Sequence, residues 1–151
     1  MNKNKSIEAI LKAKEHHASQ MLIIKKLAQG RDINGPSPTT IMECSFGKWL
    51  YNPKYRIKEI LGLIFYEKID SLHKKWHNEY LDIYKIFQKK EKKTFFSKIT
   101  GNNKIKPMDV DRAKAYYKDL EKTSEKLLLE LDKSHRRFVA LSDSIYDLPS
   151  T

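Results

Sequence analysis

The chain has 151 residues, of which 40% are hydrophobic and 32% charged, with a formal net charge of +11. That length suits one domain able to bury a core, and a mean hydropathy of -0.66 excludes a membrane-embedded protein. The longest apolar stretch, Ile60 to Tyr66, falls far short of the roughly 20 residues needed to cross a bilayer. The basic N-terminus leads into no apolar run or cleavage site, and the single cysteine permits no internal disulfide. A cytoplasmic protein is expected.

The positive charge is uneven. Between Tyr84 and Lys106 stand eight lysines and one acid, Glu91. Such a run can touch nucleic acid or an anionic surface. However, the chain holds 25 Lys against 5 Arg, and no RNP, zinc-finger or helix-turn-helix signature accompanies the lysines. The run is therefore expected to be a solvated helix end and loop, with no nucleic-acid partner.

The predicted elements follow in chain order. From Ser6 to Gln29, Ile7, Ile10, Leu11, Met21, Ile24, Leu27 and Ala28 keep a helical period, and Gly30 is placed to end the helix in a left-handed cap. Arg31 to Thr39, with Gly35, Pro36 and Pro38, reads as a loop. Thr40 and Glu43 have capping-box spacing, which predicts a short helix carrying Cys44 in its first turn and closed by Asn52-Pro53. A long third helix is predicted from Arg56 to Lys90 on an apolar stripe from Ile57 to Phe87. Gly101-Asn102-Asn103 and Pro107 mark the next connection, and Asp109 caps a fourth helix reaching Leu141. The expected fold is all-α: an antiparallel bundle of three long helices plus one short helix carrying the cysteine. It forms a single domain over residues 1–151, with 1–5 and 144–151 as flexible ends.

Candidate metal ligands lie on three segments. His73 and His77 are four apart, just over one helical turn, so both imidazoles leave one face, bordered by Ile69, Leu72, Trp76 and Tyr80. Such a pair alone is frequently incidental. Cys44 near a helix start meets free backbone N–H groups that favour a thiolate, although a buried cysteine is also an ordinary core residue. Gly47 allows a neighbouring helix close to the cysteine, and Phe46 and Trp49 can roof the sulfur. On the first helix His17 shares the inward stripe with Met21, Ile24 and Ala28, whereas His16 points toward its edge. His135, beside Arg136 and Arg137, is expected to stay apart. One Cys and three His make the four donors that tetrahedral zinc requires.

Cys44-Ser-Phe-Gly-Lys-Trp-Leu, with a histidine before it and His73-Lys-Lys-Trp-His77 after it, resembles the bacterial chemoreceptor zinc-binding (CZB) domain family. The resemblance is strong from Ile10 to Phe87 and rests on pattern alone for the last helix. It implies zinc held by His17, Cys44, His73 and His77, with Arg31-Asp32 at the spacing found in relatives. Gln20 departs from it, standing where the family often has an aromatic residue. The resemblance further implies a homodimer in which zinc or thiol oxidation sets the output of a chemoreceptor or a diguanylate cyclase. Tyr80, Tyr84, Tyr116 and Tyr117 form a tyrosine surplus that a dimer could use. The final Leu141 to Pro149 faintly resembles a segment leading into a cyclase domain.

Catalysis is not expected. Lys74 stands where a zinc peptidase needs its glutamate base, four ligands close the metal shell, and no P-loop or nucleophile elbow occurs. The alternatives are a zinc site that only stabilises the bundle and, more distantly, a basic nucleic-acid-binding accessory protein.

Overall fold

The structure, a computed structural model, describes residues 2–31, 33, 37–88 and 105–147. Most of the lysine-rich run, together with Asp32, Gly35, Pro36, Lys90, Gly101-Asn102-Asn103 and residues 148–151, lies outside the described residues. The described part is all-helical, without a strand. In chain order the helices are α1 (Lys3–Ala28), α2 (Ser45–Leu50), α3 (Ile57–Leu61), α4 (Leu63–Gln88) and α5 (Pro107–Ala140). One-turn 3₁₀ helices lie at Pro53–Tyr55 and Asp143–Ile145.

Helix α1 starts earlier than its apolar period suggests, because Asn2 caps it: the side-chain oxygen accepts the Lys5 N–H at 3.0 Å. It ends as expected. Gly30 takes φ +75°, and its N–H donates to the Leu27 carbonyl at 2.8 Å. Lys25 and Lys26 in the last turn suit the negative end of the helix dipole.

The next two expectations need correction. Thr40 and Glu43 do form the reciprocal capping pair, each backbone N–H meeting the other's side chain at 3.3 Å. The pair closes a tight turn, however, and α2 begins only at Ser45, so Cys44 is the N-cap and lies outside the first turn. The long third helix is also interrupted. Gly62 adopts φ +88°, ψ 147°, a conformation open essentially to glycine, and splits the stripe into α3 and α4. The last helix begins at Pro107, with Lys106 as N-cap and Asp109 inside the first turn.

The long helix α5 packs against both α1 and α4. Lys3 Nζ donates to the Leu141 carbonyl at 2.6 Å, Lys14 pairs with Asp132, and the Tyr117 hydroxyl donates to the Met21 carbonyl at 3.3 Å. Residue numbers therefore rise along α1 as they fall along α5. On the other side Arg137 stacks on Phe65 at 4.9 Å. Between the helices Ile10, Ile24, Ile69, Ile83, Leu120, Leu127, Leu131 and Phe138 are fully buried. Each such side chain contributes about 1.5–3 kcal/mol by leaving water. The tyrosines are largely used within the chain: Tyr80 is buried, Tyr84 lies against it at 6.1 Å, Tyr117 is bonded to Met21, and Tyr116 is exposed. No described helix is long and apolar enough to cross a membrane.

Candidate metal centre

His17 comes from the middle of α1, Cys44 from the start of α2, and His73 and His77 from successive turns of α4. One donor atom from each lies within 4.8 Å of all the others. His17, Cys44 and His73 are fully buried and His77 is 2% exposed. The Cys44 Sγ is 3.9 Å from His17 Nε2, and the Nε2 atoms of His73 and His77 are 3.0 Å apart. His16 is half-buried, edge-on to His17 at 5.7 Å and outside the cluster, as is His135.

The outer ring nitrogens fix which way each imidazole presents itself. His17 Nδ1–H donates to the Ala13 carbonyl at 2.8 Å, one turn back on α1. His77 Nδ1–H donates to the Pro38 carbonyl at 3.0 Å. A carbonyl can only accept, so each proton sits on Nδ1 and each Nε2 turns a lone pair inward. His73 Nδ1 meets the Tyr51 hydroxyl at 3.3 Å, and the two rings stack at 27°. Outer nitrogens held by acceptors are the arrangement found around metal-ligating histidines.

Burial keeps all three imidazoles neutral. It lowers His17 to about 4, His73 to about 2 and His77 to about 4, with the neighbouring histidines adding to the shift at His73. Burial raises the Cys44 thiol, while the backbone N–H groups of Gly47 and Phe46 pull the other way. Burial and then the Asp70 carboxylate push the Tyr51 hydroxyl up, so it stays protonated.

Aromatic rings enclose the donors. Phe46 stands 5.0 Å from His73 and 5.8 Å from His17, and Trp76 stands 4.9 Å from His17 and 5.0 Å from His77. Trp49 lies behind Phe46, stacked on it at 5.7 Å and reaching Phe138 of α5 at 6.3 Å. Of the two expected roofing residues, Phe46 covers the imidazoles and Trp49 ties that cover to α5.

Gly47 lets a neighbouring helix come close, as its position suggests, and admits a second segment as well. A Cβ there would lie 1.7 Å from the Ile41 carbonyl oxygen and 3.3 Å from His73 Cε1. The close approach is thus by the turn preceding Cys44 and by the site itself. Gly47→Ala must push that turn away and is expected to cost about 1–3 kcal/mol, as overpacking does. Chemical denaturation of the metal-free protein checks this, and an unchanged midpoint would contradict the contact. Tyr51 and the Ala13 and Pro38 carbonyls escaped sequence reasoning. Only Tyr51 left a signal, seven residues beyond Cys44 and so two helical turns along the same side.

The residues fit a metal ion. Tetrahedral zinc with Zn–N near 2.0–2.1 Å and Zn–S near 2.3 Å sets N···N at about 3.4 Å and S···N at about 3.6 Å. The 3.0 Å and 3.9 Å separations lie on either side of those values. His77 presents a lone pair to His73 Nε2 at 3.0 Å, so the gap holds either the His73 Nε2 proton or, in its place, a cation bound by both nitrogens.

No curated protein and no solved structure matches the chain. A family model described as the chemoreceptor zinc-binding domain matches residues 8–84, from the second turn of α1 almost to the end of α4. That span is just over half of the chain and includes all four clustered residues. The chain belongs to the chemoreceptor zinc-binding domain family.

Proposed function

We propose that His17, Cys44, His73 and His77 bind one Zn²⁺ and that the chain is a regulatory domain, not a catalyst. The observation that carries this is the convergence of four buried donors, with inward lone pairs set by the outer hydrogen bonds. Four protein ligands leave no open position for substrate or water, which argues against catalysis. Bound zinc would hold Cys44 as a thiolate, a soft and oxidisable ligand. An oxidant such as a peroxide or hypochlorous acid that takes two electrons from this sulfur and leaves it bearing OH would enlarge a side chain that is fully buried.

The physical route outward runs through α2. Cys44 begins the helix, Phe46 and Trp49 extend from it, and Trp49 touches Phe138 near the end of α5. The Tyr146 hydroxyl donates to the Phe138 carbonyl at 2.9 Å. Losing the metal or oxidising Cys44 would release α2 and so alter the packing where the chain leaves the helices. We place the domain in the cytoplasm as a homodimer whose three long helices form an antiparallel bundle. Its output would be a chemoreceptor or a diguanylate cyclase, by family likeness.

Metal analysis tests the site. The purified protein should carry about one zinc per chain, and Cys44→Ala should lose most of it. Unchanged zinc in that variant would remove the proposal. A purely structural zinc site predicts that a chelator unfolds the chain. Regulation predicts a metal-free form that still melts cooperatively, which the extensive core favours.

A further inference from the structure

Two of the three imidazoles are oriented by main-chain carbonyls, Ala13 for His17 and Pro38 for His77. His73 alone is oriented by a side chain, the Tyr51 hydroxyl 3.3 Å from its Nδ1. Tyr51 occupies the C-cap of α2, the helix that begins with Cys44, so one short element supplies both the sulfur and the partner of His73. Beyond Tyr51, on α4, stands Asp70, itself paired with Lys74 at 2.8 Å. The Lys74 ammonium also lies over the Tyr51 ring, 5.9 Å from its centre. One Asp70 oxygen is buried without a hydrogen-bond partner, and the Asp70 carboxylate is among the groups that keep the Tyr51 hydroxyl protonated.

We infer that Tyr51, backed by Asp70, is a positioning residue for the metal centre: its oxygen accepts the His73 Nδ1–H and so commits His73 Nε2 to the ion. A hydroxyl can donate to a carboxylate and accept from an imidazole at once, so the order His73 to Tyr51 to Asp70 satisfies every group. In the reverse order the Tyr51 proton would sit toward Nδ1, and Nε2 would carry a proton where a lone pair is required. Outer partners of this kind typically change metal affinity 10–100-fold. A partner carried on α2 can be withdrawn with that helix, which the Ala13 carbonyl, on the same helix as His17, cannot. Tyr51 thereby makes His73 an adjustable ligand.

The inference rests on the zinc site proposed above, and Tyr51→Phe tests it, because the stacked ring stays and only the oxygen goes. Competition with a chromogenic chelator should show zinc held roughly 10–100-fold more weakly than by the unaltered protein. Nitrogen-15 spectra of the metal-free variant should show His73 shifting from the Nδ1–H tautomer to a mixture, with His17 and His77 unchanged. Asp70→Asn should weaken zinc less, and the double variant should be no worse than Tyr51→Phe, since Asp70 acts through the phenol. Affinity within twofold of the unaltered protein would overturn the inference. So would a general loss of stability with the His73 tautomer unchanged, which marks a merely structural role. If the unaltered protein binds no zinc, the metal reading fails instead, and that outcome is read before any variant is compared.

Discussion

Metal-free protein given zinc at about a thousand times its dissociation constant is expected to melt roughly 8–16 °C higher than without it. An ion bound only by the native state adds RT ln(1 + [L]/Kd), about 4 kcal/mol at that excess, and a domain of this size gains about 2–4 °C per kcal/mol. The donors come from α1, α2 and α4, so the unfolded chain has no preformed site to compete. His73→Ala removes the donor nearest to His77 and should abolish most of the increment while the metal-free form still folds. Scanning calorimetry at fixed protein and zinc concentrations measures both. An increment of equal size in His73→Ala would mean that zinc binds elsewhere.

Acid is expected to unfold the metal-free protein well above the pH that its carboxylates require. His17, His73 and His77 titrate in the folded chain at about 4, 2 and 4, against about 6.5 when unfolded. The sign follows from linkage. A folded value below the unfolded one means that the unfolded chain takes up protons first, so stability is fully present above about 6.5 and falls as the pH drops toward 4. Near pH 5 the unfolded chain holds almost three extra protons, and stability should fall by up to about 4 kcal/mol per pH unit. That slope exhausts an ordinary 5–15 kcal/mol within a few pH units. Melting temperatures at pH 7.5, 6.5 and 5.5 decide the matter. A flat profile would show that the imidazoles are not buried as neutral groups. Zinc added at pH 7.5 should protect, and should fail at pH 5 where protons displace it.

Much of this was legible in the residues. The four-residue spacing of His73 and His77, the apolar stripe beside them and the angular position of His17 each follow from the helical repeat, which needs no tertiary information. The Gly30 stop was equally local, since a left-handed cap depends only on the residue that adopts it. Gly62 was not legible. It sits within the run Ile60 to Phe65, whose continuous apolar character reads as helix, and a lone glycine in a helix is tolerated. In the fold it takes φ +88°, and an added Cβ there would lie 3.2 Å from the Arg137 guanidinium on α5, a neighbour that the local sequence does not reveal. The Thr40–Glu43 pair forms with the expected hydrogen bonds yet closes a turn, because a capping box describes a local geometry and leaves open how far a helix then extends.

The sequence by itself determined the helical class and, through the helical period together with the family resemblance, the four side chains to consider as donors, because periodicity and side-chain chemistry are local properties. Only the tertiary structure decided that the donors meet, and that the Pro38 carbonyl and the Tyr51 hydroxyl stand at the outer nitrogens of His77 and His73. Those are relations between residues up to 60 positions apart, as between His17 and His77, and no local period encodes them.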